Sequence, residues 1–323
     1  MPKTDDRILE MLRRIRILSP ESARIGDREQ HGLQDCLVPW LQCEIYKNFF
    51  CHMRPVSPPA FVPLLVKALA AANCGVGTAQ PAWYMAHGRP ESPATKWLRL
   101  YWHVSSQGAP VLLGLATEIL HRLQVPFRLK ILLDTSIDRR DAAVLYLPLN
   151  RWIVARDFVE AISRQLEDLS ALHPEIPLFA KLVRPGVGLA EDPQTGLSFG
   201  LHRSGLVARA LARSYLAGHV EEAQRARMHA ARQRGELANS SGGAPEPCPF
   251  CACSPEAQRA RMHAARQQSK LANSSGGALE PCPFCACSPE EQQWSALSAE
   301  FAREGLSIDR PYLNAASRDV YEF

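Results

Sequence analysis

The sequence of 323 residues is 46% hydrophobic and 22% charged, and its net charge at neutral pH is +4. This length and apolar content are sufficient for a sizeable buried core, and so small a positive charge does not indicate nucleic acid as a partner. No apolar run approaches the roughly 20 residues of a membrane helix, and the first residues lack the apolar segment of a secretory signal. These features predict a soluble, cytoplasmic protein that works without a membrane or nucleic acid.

Hydrophobic periodicity predicts helices first and then strands joined by short connections. In chain order, the predicted elements are helices over Asp6–Ile17, Asp35–Phe50 and Phe61–Ala72, a strand over Lys96–Val104, a helix over Val111–Leu123, strands over Phe127–Leu133 and Ala142–Leu147, a helix over Arg156–Leu172, and a helix from Ser198 to about Leu216. An irregular, glycine-bearing stretch over 177–193 precedes the last of these helices. This order favours the α+β class, with a mixed sheet and covering helices in a single domain that carries a surface insert.

The insert is a tandem duplication. Glu222–His229 returns as Glu256–His263, and Pro247–Ser254 returns as Pro281–Ser288, each shifted by 34 residues (222 to 256). Each unit contains Asn-Ser-Ser-Gly-Gly, which is a flexible linker composition. We therefore divide the chain into an N-terminal helical part (1–95), an α+β core (96–217 with 290–323), and a duplicated insert (218–289) that is flexible or zinc-binding.

Each repeat unit carries a Cys-Pro-Phe-Cys sequence. Together Cys248, Cys251, Cys282 and Cys285 could supply the four thiolates of a structural zinc site. Duplication of a single unit creates this pairing automatically, so a linker whose thiols stay free is the alternative. Both interpretations remain open at this point.

A group of basic side chains predicts an anion site. Lysine or arginine beside a helix N-terminus binds phosphate through guanidinium contacts and backbone N–H groups, and a lysine surrounded by positive charge has a lowered pKa and can act as a base. The alternative is that these side chains are solvated surface. The residues concerned are Arg128 and Lys130 on one face of a strand, Lys181 and Arg184 in the glycine-bearing stretch, and His202 and Arg203 in the first turn of a helix.

Glu191 and Asp192 form an adjacent acidic pair, which could bind a metal or perform acid–base work. Asp192 also precedes Pro193, and an Asp-Pro turn accounts for the pair equally well.

Several longer segments resemble one family, the HopA1 effector-like proteins. The segments that carry the resemblance are 99–103 (RLYWH), 125–130 (VPFRLK), 141–146 (DAAVLY), 177–181 (PLFAK), 186–193 (GVGLAEDP), 198–203 (SFGLHR) and 309–314 (DRPYLN), followed by Ser317, Asp319, Val320 and Tyr321. The resemblance covers most of the chain outside about 218–289.

The resemblance implies a phosphoserine/phosphothreonine lyase. Such an enzyme would eliminate phosphate from a peptide during ribosomal-peptide (lanthipeptide-type) modification, beside a kinase-like partner protein. It implies Lys130 or Lys181 as the base, His202 or His103 as the acid, and a phosphate clamp formed by Arg128, Arg184 and Arg203. The reaction needs no metal or organic cofactor, so zinc would be structural and confined to the insert. A non-catalytic module that binds a phosphopeptide or a partner, and an effector acting on host proteins, are the alternatives.

Overall fold

The computed structural model describes residues 4–56, 75–80, 83–88, 96–133, 136–233 and 289–322. The helix predicted over Phe61–Ala72 and the four cysteines of the candidate zinc set lie outside these residues. The chain divides into two compact units, one formed by residues 1–209 with 300–323 and the other by residues 210–299. No helix among the described residues is long and apolar enough to cross a membrane.

The elements confirm the α+β class. The helices are α1 (Thr4–Arg13), α2 (Leu37–Ile45, continued by a π-helical turn over Tyr46–Phe50), α3 (Gly108–Arg122), α4 (Trp152–Asp168), α5 (Phe199–Gln233) and α6 (Pro289–Arg303). The strands are β1 (Ile15–Ser19), β2 (Ser22–Ile25), β3 (Arg28–Gln30), β4 (Arg54–Pro55), β5 (Gly75–Gln80), β6 (Trp83–His87), β7 (Trp97–Trp102), β8 (Arg128–Leu132), β9 (Ile137–Asp138), β10 (Ala143–Pro148), β11 (Lys181–Arg184) and β12 (Val187–Glu191).

The central sheet has seven strands in the order β11-β12-β7-β10-β8-β6-β5. All six pairings between these strands are antiparallel, which differs from the mixed sheet expected from the sequence. The reason is that β7 and β8, which α3 joins, do not pair with each other. They run parallel, but β10 lies between them and is antiparallel to both. The strand–helix–strand order is confirmed, and β10 itself lies close to its predicted range of Ala142–Leu147. Its position between β7 and β8 could not be predicted from local sequence.

The two faces of this sheet differ in chemistry because successive side chains of a strand point to opposite sides. One face is apolar and includes Leu98, Leu100 and Trp102 of β7. The ring of Trp102 packs edge-on against Phe158 of α4 at 6.4 Å between centroids, so α4 covers this face. The opposite face carries Arg99 and Tyr101 from the same strand, and this is the face on which the basic side chains of the sheet gather.

The N-terminal helix is shorter than predicted. The helix over Asp6–Ile17 ends at Arg13, and Ile15 begins a three-stranded antiparallel sheet, β1-β2-β3. Ile15 and Ile17 are β-branched and alternate with Arg16, a pattern that also suits a strand. The helical period was therefore extended one turn too far.

The glycine-bearing stretch over 177–193 forms a β-hairpin rather than an irregular loop. β11 pairs with β12, and β12 continues the sheet by pairing with β7. Gly186 turns the chain with φ +76°, and a Cβ placed there would lie 2.4 Å from the carbonyl oxygen of His173. Glycine is required at this turn on both grounds.

Candidate active site

Two neighbouring rows of side chains cross the polar face of the central sheet. In the first row Arg99, Tyr146 and Arg128 lie directly opposite one another on β7, β10 and β8. In the second row, two residues along, Tyr101, Val144 and Lys130 do the same. Side chains in adjacent rows on one face of a sheet are within reach of each other. We call this surface the basic face; with Arg139 it comprises Arg99, Arg128, Lys130, Arg139, Trp83, Trp97, Tyr101 and Tyr146.

Each cation of the basic face lies over an aromatic ring. The Nζ atom of Lys130 is 4.0 Å from the ring centroid of Trp83, and the guanidinium of Arg139 is 4.9 Å from that of the same Trp83. Arg128 lies over Trp97 at 4.8 Å, and Arg99 lies over Tyr146 at 5.0 Å. Such contacts contribute from about 0.5 to 2 kcal/mol each, depending on burial. They hold the positive groups in fixed positions without neutralising them.

Arg139 is fixed further by a buried polar cluster. Its Nε and Nη2 atoms donate to both carboxylate oxygens of Asp141 at 2.8 and 2.9 Å. Nη2 also contacts the Sγ of Cys51 at 3.0 Å and the hydroxyl of Tyr46 at 3.2 Å. Burial, aided by the neighbouring Asp141, raises the pKa of the Cys51 thiol well above its usual value. Cys51 is therefore a protonated structural thiol here and not a nucleophile.

Arg99 is buried, with 8% of its surface exposed, and one of its buried N–H groups lacks an acceptor in the part of the chain that the structure describes. Its Nη2 donates to Asp192 at 2.6 Å, whereas its Nε–H has no acceptor among the described residues. A buried N–H without an acceptor is costly and would be satisfied by an anionic oxygen of a ligand. Among the residues that the structure describes, four cations and two carboxylates (Asp141 and Asp192) face this region, which leaves a net positive charge on the basic face.

Lys130 is the basic side chain of this face whose pKa is lowered from its usual value. Burial lowers its pKa; Asp141 opposes that effect, and Arg139 and Arg99 add to the lowering. Desolvation and like charge both favour the neutral amine. The side chain thus has the character of a base surrounded by guanidinium groups.

Lys181 lies on the other face of the sheet, away from Lys130. It is opposite Leu189 of β12, which lies in the apolar row with Leu100, and three strands separate β11 from β8. At about 4.8 Å per strand the two backbones are about 19 Å apart. The Nζ atom of Lys181 donates to the two carboxylate oxygens of Asp319 at 2.9 and 3.0 Å, and to the carbonyl oxygen of Tyr321 at 2.5 Å. Lys181 therefore anchors the C-terminal segment.

Arg203 and His202 are also engaged in the fold. Arg203 is fully buried and donates from Nε to the carbonyl of Pro311 at 2.7 Å and from Nη2 to that of Leu313 at 2.8 Å. Its Nη1 lies 2.7 Å from Nδ1 of His202. Burial, with the charges of Arg203 and Arg209, lowers the pKa of His202 to about 4. The imidazole is thus neutral near pH 7 and has no readily donated proton.

Arg184 and the acidic pair occupy further structural positions. Arg184 forms ion pairs with Glu160 and Glu167 of α4. Glu191 is buried and accepts hydrogen bonds from the C-terminal segment. The Asn314 backbone N–H donates to it at 2.9 Å, and the side-chain hydroxyls of Ser317 and Tyr321 donate at 2.6 and 2.7 Å. Glu191 holds the C-terminal segment, and Asp192 holds Arg99.

His103, the second histidine considered as an acid, follows β7 directly. Its Nε2 is 2.8 Å from the Asp138 carboxylate, and its Nδ1 is 3.2 Å from the carbonyl oxygen of Glu175. Both ring nitrogens are thereby occupied by protein groups.

A separate basic concavity of about 530 Å³ lies at the N-terminal sheet. Arg16 of β1 and Arg24 of β2 lie directly opposite each other there. Like charges so placed destabilise a sheet, and none of the residues that line the concavity is aromatic. Its lining residues are Arg13, Arg14, Arg16, Arg24, Gly26, Asp27 and Glu29.

The structure thus brings together only Arg128 and Lys130 of the basic residues proposed from the sequence. It adds Arg99 and Arg139, which sequence reasoning missed. The signal for Arg99 was the alternation Trp97, Arg99, Tyr101 along a strand, which places all three on one face. No local pattern marked Arg139, because its partners Trp83 and Cys51 are distant in the chain.

The fold and the site define an α+β protein whose antiparallel sheet carries a basic, aromatic face. The profile of the HopA1 effector protein family matches residues 78–236, which confirms the resemblance to HopA1-like proteins that the motifs predicted. Two solved effector proteins from Pseudomonas syringae are similar. The one from pathovar tomato strain DC3000 has 15% identity and a TM-score of 0.49, covering 85% of this chain and 90% of that one. The one from pathovar syringae strain 61 has 13% identity and a TM-score of 0.40, covering 84% and 88%. No curated protein is similar enough to the chain to count as a match.

Proposed function

We propose that this HopA1-like protein eliminates phosphate from phosphoserine or phosphothreonine in a peptide, with Lys130 as the base. The neutral Lys130 amine takes the proton from Cα of the phosphorylated residue. The electron pair of that C–H bond forms the Cα=Cβ double bond, and the Cβ–O bond breaks with its pair leaving on phosphate. The products are a dehydroamino acid and inorganic phosphate.

The observation that carries the proposal is the position of Lys130 among fixed guanidinium groups. Arg128 and Arg99 lie in the adjacent row of the same sheet face, and Arg139 shares the ring of Trp83 with Lys130. Guanidinium groups placed where charge develops stabilise the departing phosphate. Burial, together with the charges of Arg139 and Arg99, lowers the pKa of the lysine, so one arrangement supports both halves of the elimination.

The proposal assigns no histidine acid. His202 accepts from Arg203, and His103 is held between Asp138 and Glu175. In this account the positive charge of Arg99 and Arg128 replaces proton donation, because a phosphate whose charge is neutralised is a competent leaving group. The proton is supplied by solvent after release.

A phosphopeptide-binding module is the second candidate, and one observation favours it. Arg99 and Arg139 already have carboxylate partners in Asp192 and Asp141, so part of their charge is neutralised before any ligand arrives. A binding surface tolerates this better than a catalytic clamp. The peptide substrate and a kinase-like partner that would phosphorylate it belong to the lyase proposal.

Mass spectrometry of phosphoserine and phosphothreonine peptides incubated with the full chain tests the two candidates. A lyase gives loss of the mass of phosphoric acid and a product that adds thiols at the new double bond. Lys130→Met should abolish the product, and Arg128→Gln should raise KM and lower kcat. Arg184→Gln is the matched control because it changes an arginine on α4's side of the protein.

Binding without elimination would support the second candidate instead. In that case Arg16→Gln with Arg24→Gln must leave the affinity unchanged, because the N-terminal concavity is the competing anion site. Neither elimination nor binding would reject both candidates.

For the insert, we propose a zinc site formed by Cys248, Cys251, Cys282 and Cys285, with an unmetallated linker as the competing interpretation. Four thiolates in two Cys-x-x-Cys pairs have the composition of a structural zinc site. Stoichiometric zinc that is lost in Cys248→Ser and Cys282→Ser would support the site. Purified protein without zinc would leave the insert as a linker.

A further inference from the structure

The environment of His103 cannot be satisfied by a neutral imidazole alone. Its Nε2 is 2.8 Å from an Asp138 carboxylate oxygen, and its Nδ1 is 3.2 Å from the carbonyl oxygen of Glu175. Both partners are acceptors, whereas a neutral imidazole has a single N–H. A second proton or a metal ion must therefore lie between one ring nitrogen and its partner. The His103 side chain is buried, with only 5% of its surface exposed.

A second histidine lies beside the first. The ring centroids of His103 and His173 are 4.7 Å apart. One ligand atom from each of His103, Asp138 and His173 lies within 4.8 Å of the others. Backbone hydrogen bonds also connect the two segments. The N–H of His173 donates to the carbonyl oxygen of His103 at 2.9 Å, and the N–H of His103 donates to the carbonyl oxygen of Gly186 at 2.9 Å. The two histidines are thus held together before any ligand binds.

We propose that His103, Asp138 and His173 bind a divalent transition-metal ion such as Zn²⁺, with at least one coordination position open to solvent. Two imidazole nitrogens and one carboxylate oxygen are ligands that zinc accepts in sites with an open position. The Nδ1–H of His103 donates to the Glu175 carbonyl, which is the hydrogen bond that orients a metal-binding histidine. This leaves Nε2, with its lone pair, toward Asp138.

The geometry requires only a small adjustment. Zn–N and Zn–O bonds of about 2.0 to 2.1 Å place tetrahedral ligand atoms about 3.3 Å apart. The Nε2–Oδ1 distance of 2.8 Å would therefore widen slightly, and the exposed His173 would close toward the ion.

Neighbouring charges set the expected affinity. Arg54 and Arg140 carry positive charge near Asp138, and Glu175 contributes a further carboxylate 3.6 Å from Nδ1 of His103. Two guanidinium groups against one additional carboxylate weaken the attraction for a cation. We therefore expect weaker binding than in a four-thiolate site. The site is independent of the proposed lyase reaction, which uses Lys130 and no metal.

Metal titration of a full-length protein without insert thiols tests the proposal. In this background all six cysteines of the two repeats, Cys248, Cys251, Cys253, Cys282, Cys285 and Cys287, are changed to serine. Zn²⁺ binding is measured by calorimetry, and Co²⁺ is added as a spectroscopic probe. Asp138→Asn and His173→Ala remove ligands without deleting the buried His103 ring. His31→Ala is the matched control, because His31 is exposed and pairs with a single carboxylate, Glu29, at 3.0 Å.

The proposal expects one equivalent of Zn²⁺ in the background protein, and at least a tenfold loss of affinity in Asp138→Asn and in His173→Ala. His31→Ala should bind as the background does. The Co²⁺ complex should show visible d–d bands without a thiolate charge-transfer band. No binding, binding confined to the protein with its insert cysteines, or equal binding in all variants would overturn the proposal.

Discussion

Replacement of Arg203 by methionine separates a structural role from a phosphate-binding one. Methionine fills much of the volume but removes the donors to the carbonyls of Pro311 and Leu313. Hydrogen bonds from a charged donor contribute about 1.5 to 3 kcal/mol each, so two of them give a gross loss of about 3 to 6 kcal/mol. Relief of the burial that lowers the Arg203 pKa to about 10 offsets part of this. We expect a net loss of about 3 kcal/mol in the free energy of unfolding.

Urea unfolding followed by tryptophan fluorescence measures this loss. Arg213→Met is the control on the same helix, because Arg213 is exposed and should change the free energy by less than about 0.5 kcal/mol. An unchanged unfolding free energy in Arg203→Met, together with loss of phosphopeptide binding, would refute the structural assignment. Arg203 would then be the phosphate clamp that the family resemblance implied.

Three further changes probe the site and the fold. The kcat/KM for elimination should rise with pH and level off below the usual lysine pKa of 10.5, because burial and nearby arginines favour neutral Lys130; a falling or flat profile would exclude it as the base. Asp319→Asn should destabilise the protein by about 1 kcal/mol at neutral pH through loss of the Lys181 ion pair. Burial raises the pKa of Asp319, but its hydrogen bonds outweigh burial and lower the pKa below 3.8. Urea unfolding should therefore show the stability difference between the variant and the wild type above pH 3.8, and the difference should disappear as the pH falls through the folded-state pKa. Gly186→Ala should cost about 2 kcal/mol in thermal unfolding, because φ is +76° and the new Cβ meets the carbonyl oxygen of His173; an unchanged melting temperature would contradict the turn geometry.

Secondary-structure elements, and the sheet face on which a side chain lies, were predicted correctly where they depend on residues that are close in the chain. The strand containing Arg128 and Lys130 places both side chains on one face, as the two-residue spacing indicates. The strand over Trp97–Trp102 lies inside its predicted range and contributes Arg99 to the same face.

The partners of charged side chains were beyond local reasoning. Lys181 looked like a candidate base because its pattern gave no sign of Asp319, which is 138 residues away. Arg203 was predicted to bind phosphate because local sequence gave no sign of its acceptors. These are the carbonyls of Pro311 and Leu313, which lie 108 and 110 residues away in the chain. In each case a C-terminal segment packed against the core supplies the contact that decides the role. Residue type and helix position alone could not distinguish a buried structural arginine from an exposed anion ligand.

Comparison of Lys130→Ala with Lys181→Ala in one elimination assay tests the central claim most directly. Each variant is incubated with the same phosphopeptide, and product is quantified by mass spectrometry per folded molecule. We predict that Lys130→Ala lowers kcat by about 10² to 10⁴, the contribution of a general base, whereas Lys181→Ala retains the wild-type rate and loses only stability. The reverse result, with Lys181 essential and Lys130 dispensable, would contradict the assignment of the basic face as the active site.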